Sequence, residues 1–428
     1  MTQLSPTRRG FLSLLGAAGA AGALTACSGG GQGGGPTEIR FAYWGNDTRQ
    51  RLTEQAVEVF HSRHPDIRVK AELGQFQGYF DKLATQTAAN DMPDVFQMNE
   101  KYLAEYAQRG ALLDLSELDT TRFSPGTKEA GMSEGALYGV NAGVNAPTMM
   151  TNPRVFEEAG VELPDDTTWT WDDLRATSAA ITEATGGTRH GLGSMAGNDA
   201  AFHVYLRQRG ASLYTDRAVG FPVELLESWF ADNLRLQDEG CVPPAAAANE
   251  NGAKSIDEQA FANGGYAVAA DYSNLVTQLE DISGEDLRLL RYPSTTGRAA
   301  EGGLWLRASM FWSASARTRQ SAAVLTFIDF LANSTACGEV LLAERGLPAN
   351  ADVLAHVADR LTASDLKAVA YLEAIEPELG PTPPLQPVGG GEFPNVLSRY
   401  ADEVMFGRMP PAAAATQLVA EIEASLAG

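Results

Sequence analysis

Gly131-Met132-Ser133-Glu134-Gly135 has the spacing of a nucleophile elbow, the sharp strand-to-helix turn that presents a serine for acyl transfer. Its surroundings argue against that chemistry, because a polar segment precedes it and the strand-like Ala136 to Val140 follows; the five residues read as a turn. Gly191-Leu192-Gly193-Ser194-Met195-Ala196-Gly197 misses the dinucleotide fingerprint by one residue, and no phosphate-cradling loop occurs. The histidines, His61, His64, His190, His203 and His356, are scattered without metal-ligand spacing. His61 and His64 share a helix face just before Pro65, where the C-terminal dipole favours them. A glycosidase pair needs a defined separation between two carboxylates, which spacing along a chain with 54 acids does not supply. A different chemistry is offered by Asn46, Asp47, Asn99 and Glu100, amides and carboxylates that follow apolar runs and are suited to hydrogen bonding.

The elements that position these residues alternate. Glu38 to Trp44 is an apolar, aromatic strand, Gly45-Asn46-Asp47 a turn, and Leu52, Ala56, Val59 and Phe60 repeat at helical spacing until Pro65. Ile67, Val69, Ala71 and Leu73 alternate as a strand. After a second helix, Pro93 to Met98 reads as a buried strand that leads into Asn99 and Glu100, and a helix over 101–109 closes on Gly110. Strands alternating with helices build an open α/β sheet, and ligands of such sheets sit beyond the carboxyl ends of the strands, where these four residues fall. Further on, Thr170 caps a helix through Asp173, a helix spans 223–237, Tyr266 to Ala270 forms a strand, and Ala323, Val324, Phe327, Ile328 and Leu331 form an amphipathic helix. A last amphipathic helix, Ala412 to Leu426, carries Glu421 and Glu423 on its polar face and is expected to pack, not to bind membrane.

The chain begins as an exported protein begins. Arg8 and Arg9 precede a short apolar run that ends in Leu24-Thr25-Ala26-Cys27, followed by the glycine-rich Ser28 to Pro36. The run is shorter than the roughly 20 residues of a membrane span, so residues 1–26 read as a signal peptide and 27–36 as a flexible tether. Thr7 to Leu12 resembles the twin-arginine export motif, and Leu24 to Cys27 the lipobox whose cysteine is lipidated. The remaining 400 or so residues suit two lobes. With 44% hydrophobic and 20% charged residues the chain has a large core, and its net charge of −22 argues against nucleic acid or an anionic membrane surface as partner. Cys241 and Cys337 are left as a disulfide or as two separate thiols.

Taken in order, several segments resemble the extracellular solute-binding proteins of family 1, carbohydrate-capturing components of bacterial ABC importers. They are the strand ending in Trp44, Pro93-Asp94-Val95, Gly110 to Leu115, Tyr138-Gly139-Val140 and Asn152 to Gly160, then Thr170 to Leu174, Phe261 to Val268, Gly302 to Ser313 and Gly346 to Ala349. Where the family has Gly-Ile-Pro, this chain has Gly139-Val140-Asn141, which leaves the contacts of Asn141 open. The resemblance implies a two-lobed, type II periplasmic-binding-protein clamp, each lobe a mostly parallel sheet flanked by helices. The first lobe is expected over 37–143 and 303–345, the second over 144–302 and 346–428. It further implies a lipid-anchored monomer on the outer face of the cell membrane that binds a mono- or oligosaccharide, serves an ABC permease, and uses no cofactor, metal or catalytic residue.

A sugar needs partners for its hydroxyls and aromatic faces for its C–H surfaces. The residues expected to supply them are Trp44, Asn46, Asp47, Tyr79, Asn99 and Glu100 in the first lobe and Asn145 at the crossing. Asp271 and Tyr272 follow in the second lobe, Trp305 and Arg307 on the returning segment, then Arg345, Glu392 and Phe393. Asn46 and Asp47 also suit helix caps, and Trp44 and Tyr79 core packing. The competing expectations are a cationic solute clamped by Asp47, Glu100 and Asp271, and a secreted carbohydrate hydrolase.

Overall fold

A computed structural model describes residues 35–427 apart from Asp216. The leader, Cys27 and the tether up to residue 34 lie outside the described residues. The chain opens with β1 (Thr37–Trp44), α1 (Asp47–Arg63), β2 (Ile67–Gly74), α2 (Phe76–Ala88), β3 (Val95–Met98) and α3 (Glu100–Gln108). Each helix starts where the sequence places a polar residue: the Asn46 side chain accepts the Arg49 N–H and that of Asn99 the Lys101 N–H, both at 3.0 Å. β2 and β3 flank β1 in parallel, and the strand Phe311–Ala314 joins β3 antiparallel, followed by Val140–Asn141. Apolar clusters cover both faces, one holding Phe41, Phe60, Trp312 and Phe327, the other Trp44, Tyr79, Phe96 and Phe311. Each such side chain contributes about 1.5 to 3 kcal/mol by leaving water.

A second sheet orders the strands Arg288–Leu290, Pro147–Thr151, Tyr266–Tyr272 and His190–Leu192. Only its Tyr266–Tyr272 and His190–Leu192 pair is parallel. Both sheets are thus mixed. The reason is topological: segments that cross between sheets enter from the far side, so Phe311–Ala314 and Pro147–Thr151 run against their neighbours. Around the second sheet lie α4 (Pro153–Ala159), α5 (Trp171–Ala184), α6 (Asp199–Arg207) and α7 (Val223–Asp238). The Thr170–Asp173 capping box opens α5 as its sequence requires. The final helix, Pro411–Ala427, buries Leu418, Ile422 and Leu426 and packs on α7.

Three chain segments cross side by side between the sheets. Arg307–Ala308 pairs antiparallel with Val144–Asn145, and Leu347 bridges to Val144. Gly143 is required there, since a Cβ would come within 1.9 Å of the Arg345 carbonyl oxygen. Asn141 turns inward, its side-chain oxygen accepting the Gly143 N–H at 2.9 Å. Gly131 to Gly135 forms a hairpin: Met132–Ser133 pairs with Ala136–Leu137 around Glu134 and Gly135, both at positive φ. No helix follows Ser133, so the elbow geometry is absent. Cys241 and Cys337 are free thiols buried in different clusters. Burial pushes the Cys337 thiol up to about 12.

Candidate functional site

Between the sheets lies a cavity of about 170 Å³ whose walls come from α3, α6, the end of Tyr266–Tyr272, the crossing strand Arg307–Ala308 and the segment 381–386. Glu100, first residue of α3, reaches Arg307, whose Nε donates to Oε2 at 3.1 Å. The guanidinium also lies 4.6 Å from the centre of the Tyr272 ring. Burial alone would lower the Arg307 pKa; Tyr272, Glu100 and Asp199 outweigh it and hold the group firmly charged. This cluster joins one sheet's helix start to the other sheet's strand end through the crossing.

The opposite wall is a stripe along α6. Asp199, His203 and Arg207 recur every four residues and so share one face, while Ala201, Phe202, Val204, Tyr205 and Leu206 are buried in the core. Burial raises the Asp199 carboxyl despite the pull of Arg307, and lowers His203 to about 3, helped by Arg207. His203 is therefore neutral at pH 7. Trp305, 5% exposed, packs between its neighbours, 4.6 Å from the His203 ring and 5.3 Å from the Arg207 guanidinium. Arg207 is tied down by two carbonyls, Gly303 at 2.7 Å and Pro381 at 2.9 Å. The arrangement offers acceptors, fixed donors and aromatic surface without a nucleophile paired to a base.

Four of the residues expected from sequence meet in this cavity: Glu100, Tyr272, Trp305 and Arg307. Asn145 is register partner to Arg307, with its buried Oδ1 lacking a hydrogen bond. Asn99 caps α3, Asn46 caps α1, and Asp47 is exposed in the first turn of α1. Trp44 and Tyr79 belong to the core instead. Their rings meet edge to face at 5.1 Å, and the Tyr79 hydroxyl is consumed by the carbonyls of Ala42 and Gln97. Arg345, 3% exposed, is a structural ion bonded to Glu344 at 2.8 Å and to Thr53 at 2.7 Å. Phe393 is fully buried against Phe202, because it sits on the apolar face of the helix Phe393–Met405. Glu392 is exposed and pairs with Lys101 at 3.0 Å.

Asp271 and Tyr272 separate because neighbours on a strand face opposite ways. Tyr272 enters the cleft cavity, whereas Asp271 borders another of about 190 Å³ beside Gly193 and Tyr266. Burial raises the Asp271 carboxyl to about 6, against one N–H bond from Tyr272. A carboxyl that holds its proton more tightly when folded favours folding below its unfolded pKa near 4, and this contribution is lost as pH rises through about 6. Asp271→Asn is therefore expected to raise stability at pH 7 by about 2 to 3 kcal/mol and to leave it unchanged at pH 4. Urea unfolding of both proteins at the two pH values reads this directly; an equal difference at both would refute the titration argument.

Sequence reasoning missed Asp199, His203, Arg207 and the segment 381–386. A signal for the first three was present: Asn198 as a cap, then polar residues at four-residue spacing on an otherwise apolar helix. Another cavity, about 240 Å³, lies away from the cleft among Trp171, Tyr205, Arg209 and Trp229.

Comparison with known proteins adds independent findings. The profile of the family described as bacterial extracellular solute-binding protein matches residues 45–336. An uncharacterized lipoprotein of Streptomyces antibioticus is 29% identical over 169 residues, which cover 37% of each chain. The diacetylchitobiose binding protein DasA of Streptomyces coelicolor is 29% identical over 112 residues, 25% of this chain and 26% of that one. The matched segments thus span well under half the length of these curated relatives. A periplasmic oligogalacturonide binding protein from Yersinia enterocolitica, solved with saturated digalacturonic acid, superposes with a TM-score of 0.76 at 23% identity, covering 91% of this chain and 99% of that one. At that identity the likeness is one of fold.

Proposed function

The chain belongs to the bacterial extracellular solute-binding protein family, and from that premise we propose that it captures a saccharide between its two lobes and delivers it to an ABC importer. The first lobe in this reading is 37–143 with 303–345, the second 144–302 with 346–428. The observation that carries it is the convergence of Glu100, Arg307, Tyr272 and Trp305 from both lobes and the crossing on one cavity. A carboxylate accepts hydroxyls, a guanidinium donates in a fixed fork, and an aromatic edge or face receives C–H groups. The names of DasA and of the Yersinia protein, both saccharide binders, support the class. Arg307 and Arg207 on the same walls disfavour a cationic solute.

Binding contacts made with both lobes at once would stabilise the closed arrangement, a population shift about the three crossing segments. A micromolar ligand needs about 8 kcal/mol net, within reach of a few charge-assisted hydrogen bonds at about 1.5 to 3 kcal/mol each. No step of this function breaks a covalent bond. A lipid on Cys27 and the glycine-rich tether would hold the receptor near its permease and raise its effective concentration there; the relative named as a lipoprotein supports this.

Titration calorimetry of the purified chain with neutral saccharides, uronides and polyamines, with product analysis, tests the proposal. Saturable saccharide binding without products is the expected result. Hydrolysis, or binding of polyamines alone, overturns it.

A further inference from the structure

We infer that the proline-rich segment Pro381–Pro387, PTPPLQP, roofs the cleft and limits its ligand to a single-ring saccharide; this rests on the saccharide reading above. The segment is anchored at its start on the returning segment and the second lobe, and at its end on the second lobe. At its start the Gly380 N–H donates to the Leu304 carbonyl at 3.0 Å and Arg207 holds the Pro381 carbonyl at 2.9 Å. Beyond its end the Tyr214 hydroxyl donates to the Gly390 carbonyl at 2.8 Å. Its middle rests on the first lobe. Thr382 lies so close to Gly126 that a Cβ there would meet its hydroxyl at 2.1 Å, and Leu385 packs on the cluster of Trp44 and Tyr79.

Four prolines stiffen the span. Pro381, Pro383, Pro384 and Pro387 each fix φ and remove a donor, so the roof holds its shape without a hydrogen-bond ladder. The space left beneath it, about 170 Å³, falls short of the roughly 300 to 1,000 Å³ of ordinary small-molecule pockets. That room suits one sugar ring, and a second ring extending toward the roof would have to displace it. Gln386 also lines the cavity, and its buried Oε1 has no hydrogen-bond partner. It is an acceptor offered to a ligand hydroxyl from the roof side.

The test is titration calorimetry of the full chain with matched mono-, di- and trisaccharides, using wild type, the double variant Pro383→Gly/Pro384→Gly, and Gln386→Ala. Wild type is expected to bind a monosaccharide at least about tenfold more tightly than its longer homologues, a gap of about 1.4 kcal/mol. Loosening the roof should shrink that ratio at least about fivefold, and Gln386→Ala should weaken the monosaccharide while leaving the fold's thermal midpoint in place. Equal or tighter binding of the longer saccharides by wild type overturns the size limit and leaves saccharide capture standing, as does a ratio that the folded double variant does not change. Absence of binding by every saccharide sinks the functional reading itself. If the double variant does not fold, the wild-type ratio and Gln386→Ala still decide the matter.

Discussion

Arg307→Met weakens saccharide binding by about 10- to 150-fold, because losing a charge-assisted hydrogen bond to a ligand hydroxyl costs about 1.5 to 3 kcal/mol. Glu100 is then left beside the cavity without its donor at 3.1 Å, and the Tyr272 ring loses the cation over its face. Calorimetric titration of wild type, Arg307→Met, Glu100→Gln and the double variant measures this. The double variant is expected to lose less than the two single losses combined, since neither charge is then orphaned. A loss below about threefold in Arg307→Met would place the residue outside the binding machinery. Arg307 sits on a crossing strand with its guanidinium over Tyr272 of the second lobe, so its removal should loosen the lobes as well as the ligand contact. Lys101 and Glu392 do not compensate, because an exposed ion pair contributes at most about 1 kcal/mol.

Arg345→Ala acts on stability and not on binding. The guanidinium is held among Glu344, Thr53 and the ring of Trp312, 5.2 Å away, and burial lowers its pKa to about 10 although Glu344 opposes the shift. Truncating a buried ion costs about 3 to 5 kcal/mol. Glu344 keeps a second partner in Arg49 at 2.6 Å, so the lower end of that range is expected. A fall in the urea midpoint with unchanged saccharide affinity of the folded protein is the predicted outcome. An affinity loss at constant stability would instead return Arg345 to the ligand site. Arg345→Lys should not rescue stability fully, since an ammonium cannot bond in two directions from one plane as the guanidinium does.

How much of this was legible in the chain follows from the range of the interactions concerned. Caps and periodicity are local: Asn46, Asn99 and Thr170 announce helices that start one residue later, and alternating Ile67, Val69, Ala71 and Leu73 announce β2. The ordered run of short segments identified the family and the two-lobed fold. Strand direction was less legible, since the reversed entry of Pro147–Thr151 and Phe311–Ala314 depends on where the chain crosses.

The site divides along the same physical line. Residue type and a strand end pointed to Glu100, the family resemblance to Tyr272, and the returning segment after two glycines to Trp305 and Arg307, and these four candidates line one cavity. Which candidates face the cavity is set by register and burial. Asp271 and Tyr272 part because a strand alternates, and Tyr79, Arg345 and Phe393 are claimed by the core. The ion pair of Glu100 with Arg307 joins residues 207 positions apart, and the roof brings Thr382 onto Gly126. By itself the sequence determined the local elements, the family and the kind of chemistry. Only the tertiary structure decided which polar groups converge and how large a space they enclose, because those contacts depend on how distant segments pack, which no local pattern encodes.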